Sequence, residues 1–262
     1  MPRTVLLGQR LAVVIPAYNT GARVLRVLDT LPAFVDLAVV VDDASVDDTA
    51  AVLASISRPD LVVVRHADNR GVGGALATGY REALAHNCDL VAVMAGDAQM
   101  DPADLEALAT PVAQGRADYA KGNRLRHPDC ARAMPAVRHV GNRVLSAMTR
   151  LATGLAHVGD SQCGYTVVSA RALRSLDLDA LWRRYGYPNH LLGALALQGH
   201  RVVDVVVRPV YADEVSGIRW RDAIIVIPRI LLAVALARHA GRAKVPWLGL
   251  PGTTALERAG DV

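Results

Sequence analysis

The amino-terminal part of the chain repeats one pattern four times: a short apolar run, an abrupt polar ending, then a stretch with apolar residues every three or four positions. Leu11–Ile15 is closed by Pro16-Ala17-Tyr18-Asn19, and Leu37–Val41 by Asp42-Asp43. Leu61–Arg65 runs into Asp68-Asn69-Arg70-Gly71-Val72-Gly73-Gly74, and Leu90–Met94 into Ala95-Gly96-Asp97-Ala98-Gln99. Short apolar runs bounded by turn-forming residues read as buried strands. Between them, Gly21–Leu31 carries Val24, Leu25, Val27, Leu28 and Leu31 at helical spacing and is stopped by Pro32. Ser45 and Asp48 form an S-x-x-D pattern that predicts a capping box and a helix through about Ile56. Ala75–His86 predicts the third helix. Strands without polar alternation, each followed by a helix, predict a Rossmann-like α/β fold: a mostly parallel central sheet with helices on both faces. Ligands of such sheets bind at the carboxyl ends of the strands, where all four polar endings fall.

Beyond Pro102 the alternation loosens. Leu105–Gln114 reads as a helix, Asp118–Gly122 as a short strand, and Lys121–Asp129 as a basic loop holding Arg124, Arg126 and His127. Val137–Ala152 reads as a helix with Val140, Val144, Leu145, Met148 and Leu151 on one side. Gly159–Ser169 is a loop entering a strand, Pro188–Gln198 a helix, and Val202–Val207 a strand. From Arg219 the character changes. Ala223–Ile227 and Ile230–Ala237 are apolar, interrupted by Pro228-Arg229 and flanked by Arg219, Trp220, Arg221 and Arg238. They fall short of the ~20 apolar residues of a spanning helix. The composition predicts an interfacial membrane helix, or a helix packed on the domain or against a second subunit in a homodimer. The chain thus divides into a domain over 1–218 and an amphipathic helix and tail over 219–262, loosely ordered from Gly241.

Composition narrows the classes. The 262 residues are 52% hydrophobic and 21% charged, which suits one sizeable domain or a domain with an appendage. A net charge of +4 suits an anionic ligand or a membrane surface but is too diffuse for a nucleic-acid binder, and 4% aromatic content argues against base-stacking platforms. Cys88, Cys130 and Cys163, an odd set without CxxC spacing, predict a reducing, cytoplasmic setting and no zinc knuckle. The segment MPRTVLLGQR has too short an apolar stretch for a signal peptide.

The stretch VAVMAGDAQMDP at Val91–Pro102 carries the most chemistry. In an extended chain Asp97, Gln99 and Asp101 leave on one side. A carboxylate and an amide oxygen two residues apart can share one hard cation, Mg²⁺ or Mn²⁺, with diphosphate oxygens completing the shell. Asp101 reads instead as a helix N-cap, followed by Pro102 at the first helical position and Asp104 two residues on.

Six motifs in order resemble glycosyltransferase family 2, in its polyprenyl (dolichyl)-phosphate sugar transferase branch, over residues 11–220. VVIPAYN at Val13–Asn19 resembles the family's first strand and sugar-nucleotide loop. VDDASVDDT at Val41–Thr49 resembles D-D-G/A-S-x-D-x-T, whose acidic pair contacts the nucleoside. NRGVGGA at Asn69–Ala75 is similar to N-x-G-x-G-x-A, and GDAQMDP at Gly96–Pro102 resembles the D-x-D-x-Q-x-x-P metal motif. KGNR at Lys121–Arg124 resembles the G-S/N-R element, and DSQCGY at Asp160–Tyr165 the D-x-Q-C-G-F segment. Two positions depart: Ala95 stands where the first Asp of D-x-D is usual, and Thr20 where Glu follows Y-N. The metal then rests on Asp97, Gln99, the diphosphate and water.

The resemblance implies a type A nucleotide-diphospho-sugar transferase fold. It also implies inverting transfer from a UDP-, GDP- or dTDP-linked sugar to an acceptor, polyprenyl phosphate first among them, with peripheral contact to the inner face of the plasma membrane. The implied donor contacts are Pro16, Ala17, Tyr18, Asn19, Asp42, Asp43, Asn69, Gly71, Gly73 and Gly96. Asp97 and Gln99 are the implied metal ligands, and Lys121, Arg124, Gln162, Tyr165 and Arg219 the implied acceptor and phosphate contacts. Arg219 reads equally as a membrane-surface cation. Asp97 and Asp160 are the implied catalytic residues: Asp97 through the cation, Asp160 as general base for an alcohol acceptor, or as a positioning group for a phosphate already ionised. An alcohol acceptor stays open. A sugar nucleotidyltransferase would show a G-x-G-T/S-R-L loop, which does not follow Leu11–Ile15. A non-catalytic relative is favoured by Ala95 alone.

Overall fold

The apolar runs become strands because one sheet buries both of their faces. The computed structural model describes residues 6–210 and 222–246. In chain order the elements are β1 (Leu11–Ala17), α1 (Arg23–Asp29), β2 (Leu37–Asp42), α2 (Thr49–Ala54), β3 (Leu61–Arg65), α3 (Gly71–Ala85) and β4 (Leu90–Val93). There follow α4 (Leu105–Ala113), β5 (Tyr119–Asn123), α5 (Cys130–Ala133), α6 (Ala136–Thr153), β6 (Thr166–Ser169), α7 (Ala170–Ser175), α8 (Tyr187–Leu197), β7 (Val202–Val206) and α9 (Ile227–His239). Short 3₁₀ turns precede α4 and follow β5, and a π-helical turn, Asp222–Val226, leads into α9.

The strands form one sheet in the order β3-β2-β1-β4-β6-β5-β7. All neighbours are parallel except β6, which runs antiparallel to both β4 and β5. Side chains alternate between two cores. Leu11, Val13, Ile15, Val40 and Ala92 face α1, α2 and α4. Ala12, Val14, Val39, Val91 and Val93 face α3, α7 and α8. Burying each Val, Leu or Ile contributes about 1.5–3 kcal/mol, so β1, β2 and β4 make a stiff base for whatever their ends carry. β3, at one edge, is only partly covered.

Two features open the carboxyl rim. The strand order reverses direction between β1 and β4, the switch point where a crevice forms. β1 also carries Pro16 next to its last residue, and the missing N–H falls on the β4 side, just past the last β1–β4 pair at Val14–Val93. The reversed β6 does the rest: it starts at this rim, so the loop before it, residues 160–165, joins the loops that follow β1, β2, β4 and β5.

Two expectations are corrected, and one helix face lies in solvent. Helix α2 begins at Thr49 with no side-chain cap, because the Ser45 hydroxyl is spent on the Asn19 amide at 3.0 Å. Helix α3 begins at Gly71 rather than Ala75, since a carbonyl from elsewhere in the chain satisfies its first amides. The apolar side of α6 is not core: of its predicted members only Leu145 is buried, while Val140, Val144 and Leu151 are exposed. The inner side of α9 packs on the domain, with Ile227, Ile230, Leu231 and Val234 meeting Leu145, Ala152 and Trp182. Among the described residues no helix is long and apolar enough to cross a membrane. Arg219, Trp220 and Arg221 lie outside the described residues, as does most of the tail.

Candidate active site

The polar endings meet at the rim, and hydrogen bonds between them fix its shape. Asn19 links the exits of β1 and β2: its amide donates to Ser45 Oγ, and its side-chain oxygen accepts the Val46 amide at 3.0 Å. Asn19, Ala44 and Ala98 hold positive φ angles of 52°, 60° and 64°, three of the five non-glycine residues that do so among the described ones. Such strain concentrates where a rim is held for a ligand. Pro16 and Ala17 line the β1 exit, Tyr18 is half exposed, and the amide of Gly96 closes on the Pro16 carbonyl at 3.3 Å.

Adjacent residues of β2 point opposite ways, and so do the two acids at its end. Asp42 Oδ1 accepts the Ser45 amide at 2.9 Å, whereas its buried Oδ2 makes no hydrogen bond and stands 3.5 Å from Arg65 Nε. Thr20 Oγ1 is likewise buried without a hydrogen bond. Buried polar atoms are seldom left so, and two at one rim mark a place for donors from a ligand. Asp43 is turned inward. Its Oδ1 meets His66 Nδ1 at 2.6 Å and the Arg70 amide at 2.9 Å, while Asn69 Nδ2 donates to its carbonyl. Gly71 and Gly73 admit the chain's own backbone. The Gly73 amide donates to the Arg183 carbonyl at 2.6 Å, and a Cβ on Gly73 would lie 1.9 Å from the Trp182 carbonyl.

Asp97 and Gln99 form the turn after β4, with Asp97 Oδ1 accepting the Gln99 amide at 3.0 Å. A carboxylate and an amide oxygen suit a hard cation by donor type. Asp101 does not join them. It caps the 3₁₀ turn by accepting the Ala103 amide at 3.0 Å, as its sequence context predicts, and its Oδ2 pairs with Arg208 at 2.9 Å. Among the described residues no three His, Cys, Asp or Glu side chains converge as a metal cage. A cation bound here would take most of its shell from diphosphate and water, which this donor set permits.

Between the end of β5 and the loop before β6 stands an ion pair, fully buried at Asp160 and half-buried at Arg124. Arg124 Nε and Nη2 reach Asp160 Oδ2 and Oδ1 at 2.8 and 3.2 Å, and the Arg124 and Gln162 amides add two more bonds to the same carboxylate. Burial works to raise the Asp160 carboxyl, but the charge and hydrogen bonds of Arg124, aided by Lys121, hold it below the ordinary carboxylate range. Asp160 is therefore a poor proton acceptor and a rigid seat for the guanidinium.

Lys121 and Tyr165 are both buried and bonded to the chain's own carbonyls. Lys121 is fully buried in β5, its ammonium donates to the Cys163 carbonyl, and burial pushes its pKa down. The buried Tyr165 donates its hydroxyl to the Asp101 carbonyl at 3.1 Å. Lys121 lies in the middle of β5, paired with Thr166 of β6, and Tyr165 immediately precedes β6. The side-chain amide of Gln162 donates to Ser161 Oγ and to Asn189 Oδ1, at 2.8 and 3.1 Å.

Residues 12–177 match the profile of Glycosyl transferase family 2. The chain belongs to glycosyltransferase family 2. An uncharacterized glycosyltransferase of Mycobacterium tuberculosis is 35% identical over 200 residues, covering 76% of this chain and 85% of that one. A UDP-N-acetylglucosamine–dolichyl-phosphate N-acetylglucosaminyltransferase of Methanococcus voltae is 27% identical over 215 residues, 76% of this chain and 85% of that one. The undecaprenyl-phosphate mannosyltransferase of Micrococcus luteus is 29% identical over 235 residues, 86% of this chain and 95% of that one. The fold is also that of glucosyl-3-phosphoglycerate synthase from Mycobacterium tuberculosis, solved with Mn²⁺, UDP and phosphoglyceric acid: TM-score 0.64 at 22% identity, covering 94% of this chain and 84% of that one. The protein is thus a glycosyltransferase of type A fold.

Three members of this family 2 site escaped the sequence reading. Asp204 Oδ2 takes Asn123 Nδ2 and the Gly159 amide, both at 2.6 Å, clamping the end of β5 to the loop before β6. Burial raises its carboxyl. A lone acid inside the apolar strand VVDVV was the available signal. His66 bridges Asp43 to Thr78 on α3, at 2.6 and 2.9 Å, and nothing local in sequence announces that pairing. Asn189 on α8 joins Gln162 to Thr149 on α6, a contact only the fold creates.

Proposed function

We propose that this enzyme moves a sugar from a nucleoside-diphosphate donor to a polyprenyl phosphate, with inversion at the anomeric carbon. The observation that carries the acceptor is the Arg124–Asp160 pair. The candidate base is buried, held below its ordinary pKa and occupied by a guanidinium, so this half of the site suits a nucleophile that arrives already ionised. A phosphate monoester is such a nucleophile near neutral pH, and guanidinium is its natural partner. The names of the Methanococcus and Micrococcus relatives point to the same acceptor class.

On the donor side, Asp42 Oδ2 accepts an N–H from the base, of the kind uracil, thymine and guanine carry. Asp97 and Gln99 are the residues that would hold a divalent cation, which supplies positive charge to the diphosphate. An oxygen of the acceptor phosphate attacks the anomeric carbon from the face opposite the diphosphate. The bond from that carbon to the diphosphate oxygen breaks, and its electron pair leaves with the nucleoside diphosphate. No proton has to be removed, so Asp160 serves as a positioning residue through Arg124.

A melting panel of UDP-, GDP- and dTDP-linked sugars, with and without Mn²⁺, identifies the donor, because a ligand of the native state raises the melting temperature. Incubation of that donor with polyprenyl phosphate then yields a lipid-linked sugar, whose anomeric configuration NMR reads as opposite to the donor's. Transfer only to alcohols, or retention of configuration, would overturn the reading.

A further inference from the structure

One apolar helix face lies on the surface. On α6, Val137, Val140, Val144 and Leu151 share one side and are 88%, 61%, 53% and 80% exposed. The opposite side is tied to the acceptor half of the site: Ser146 Oγ accepts the Ser161 amide at 2.9 Å, and Thr149 Oγ1 accepts Asn189 Nδ2 at 2.8 Å. Helix α9, packed against α6, adds exposed Leu232 and Leu236, and the π turn adds exposed Ile224. A shallow apolar recess between them is lined by Ile224, Ile225, Pro228, Arg229 and Leu232.

Charge is distributed with the same bias. Residues 130–159 and 222–246 hold eight of the chain's 29 Lys and Arg and one, Asp222, of its 25 Asp and Glu, so the rest of this net-basic chain is net acidic. Arg143, Arg229, Arg242 and Lys244 are exposed here. Arg238 is spent in part on the carbonyls that end α6.

We propose that α6 and α9 form one surface that seats the enzyme on an anionic lipid bilayer. The exposed Val, Leu and Ile side chains enter the boundary between headgroups and acyl chains, and the arginines beside them meet lipid phosphates. The same distribution disfavours a second copy of the chain as the occupant. A two-fold contact through this face would set arginine against arginine, with Asp222 the one carboxylate in the two segments. The functional meaning rests on the polyprenyl-phosphate reading above: the helix that lies on the bilayer is hydrogen-bonded on its inner side to the loop expected to meet the acceptor.

Flotation of the full-length protein with vesicles tests this. Vesicles of phosphatidylcholine with phosphatidylglycerol carry the wild type upward at low salt, and raised salt or phosphatidylcholine alone weakens the effect. Val140→Asp with Val144→Asp abolishes flotation. Neutralising Arg143 or Arg229 to Gln lowers partition about fivefold each, the equivalent of roughly 1 kcal/mol per basic residue. All these positions are exposed, so melting temperature and donor-induced shifts stay unchanged. Wild type that does not float with anionic vesicles, aspartate variants that float equally well, or a dimer that the same substitutions dissociate would overturn the proposal. A protein that floats but fails to glycosylate polyprenyl phosphate refutes only the acceptor reading. One that glycosylates detergent-dissolved acceptor without floating refutes only the bilayer surface.

Discussion

At the scale of single residues, the site is divided between side chains that face the crevice and side chains that hold them. Asp97 is proposed as one of the first kind. Asp97→Asn keeps the turn's shape while removing its charge, and should lower kcat by about 10²–10³, the usual cost of losing one electrostatic stabiliser, with the melting temperature little changed. Full activity in steady-state assays would remove Asp97 from the mechanism. Asp160 belongs to the second kind. Asp160→Asn strands Arg124 and Lys121 beside a neutral amide and should cost about 3–5 kcal/mol in denaturant unfolding. The carboxyl is depressed in the folded state, so its contribution is complete above the ordinary value of about 3.9 and is lost as pH falls through the lower folded value. The stability gap between wild type and variant should therefore be flat above about pH 5 and close below about pH 4. Legibility divides along the same line. Asp42, Asp97 and Arg124 stand out in sequence as candidates because their motifs are short and local. The inward roles of Asp43, Lys121 and Tyr165 depend on His66, Cys163 and Asp101, partners that only the folded chain brings near.

At the scale of elements, the alternation of the first four strands and three helices follows from sequence pattern, since period and punctuation agree there. The errors fall at helix starts, where a distant group replaces the expected cap: Ser45 Oγ is taken by Asn19, and the α3 amides by the Arg183 carbonyl. The second case gives a contrast between glycines. Gly73→Ala drives a methyl group into the Trp182 carbonyl and should destabilise by about 2 kcal/mol or more, or displace residues 182–184. Gly141, within α6, faces open space, so Gly141→Ala should stabilise by about 0.5–1 kcal/mol through helix propensity alone. Thermal melts of the two variants should move in opposite directions. Two shifts of the same sign would mean that the 182–184 segment yields to the added methyl.

At the scale of the whole molecule, composition and the apolar runs were enough for a mostly parallel α/β sheet. They were not enough for the reversal of β6, because a four-residue strand carries no mark of its direction. The division at residue 218 also reads differently once α9 is placed. Ile227, Ile230, Leu231 and Val234 bury against α6 and α8, and a Cβ on Gly193 would come within 2.3 Å of Val234. Four such side chains are worth about 6–12 kcal/mol of burial, comparable with the entire stability of a typical domain. A chain ended after residue 218 should accordingly be insoluble or melt far below the full-length protein. A truncated chain with an unchanged melting temperature would make the terminal helix a separate appendage.

The antiparallel strand has a consequence for how such an enzyme changes partners. Residues 154–164 run between α6 and β6 and are held by Lys121, Arg124, Ser146, Arg150, Asn189, Val202 and Asp204. Neither the β1–β2–β4 register nor the turn at Asp97 depends on their length. On the polyprenyl-phosphate proposal, a graft of this stretch from another member of the family, made together with its partners at 124, 146 and 204, should change the recipient and leave the donor preference as it is.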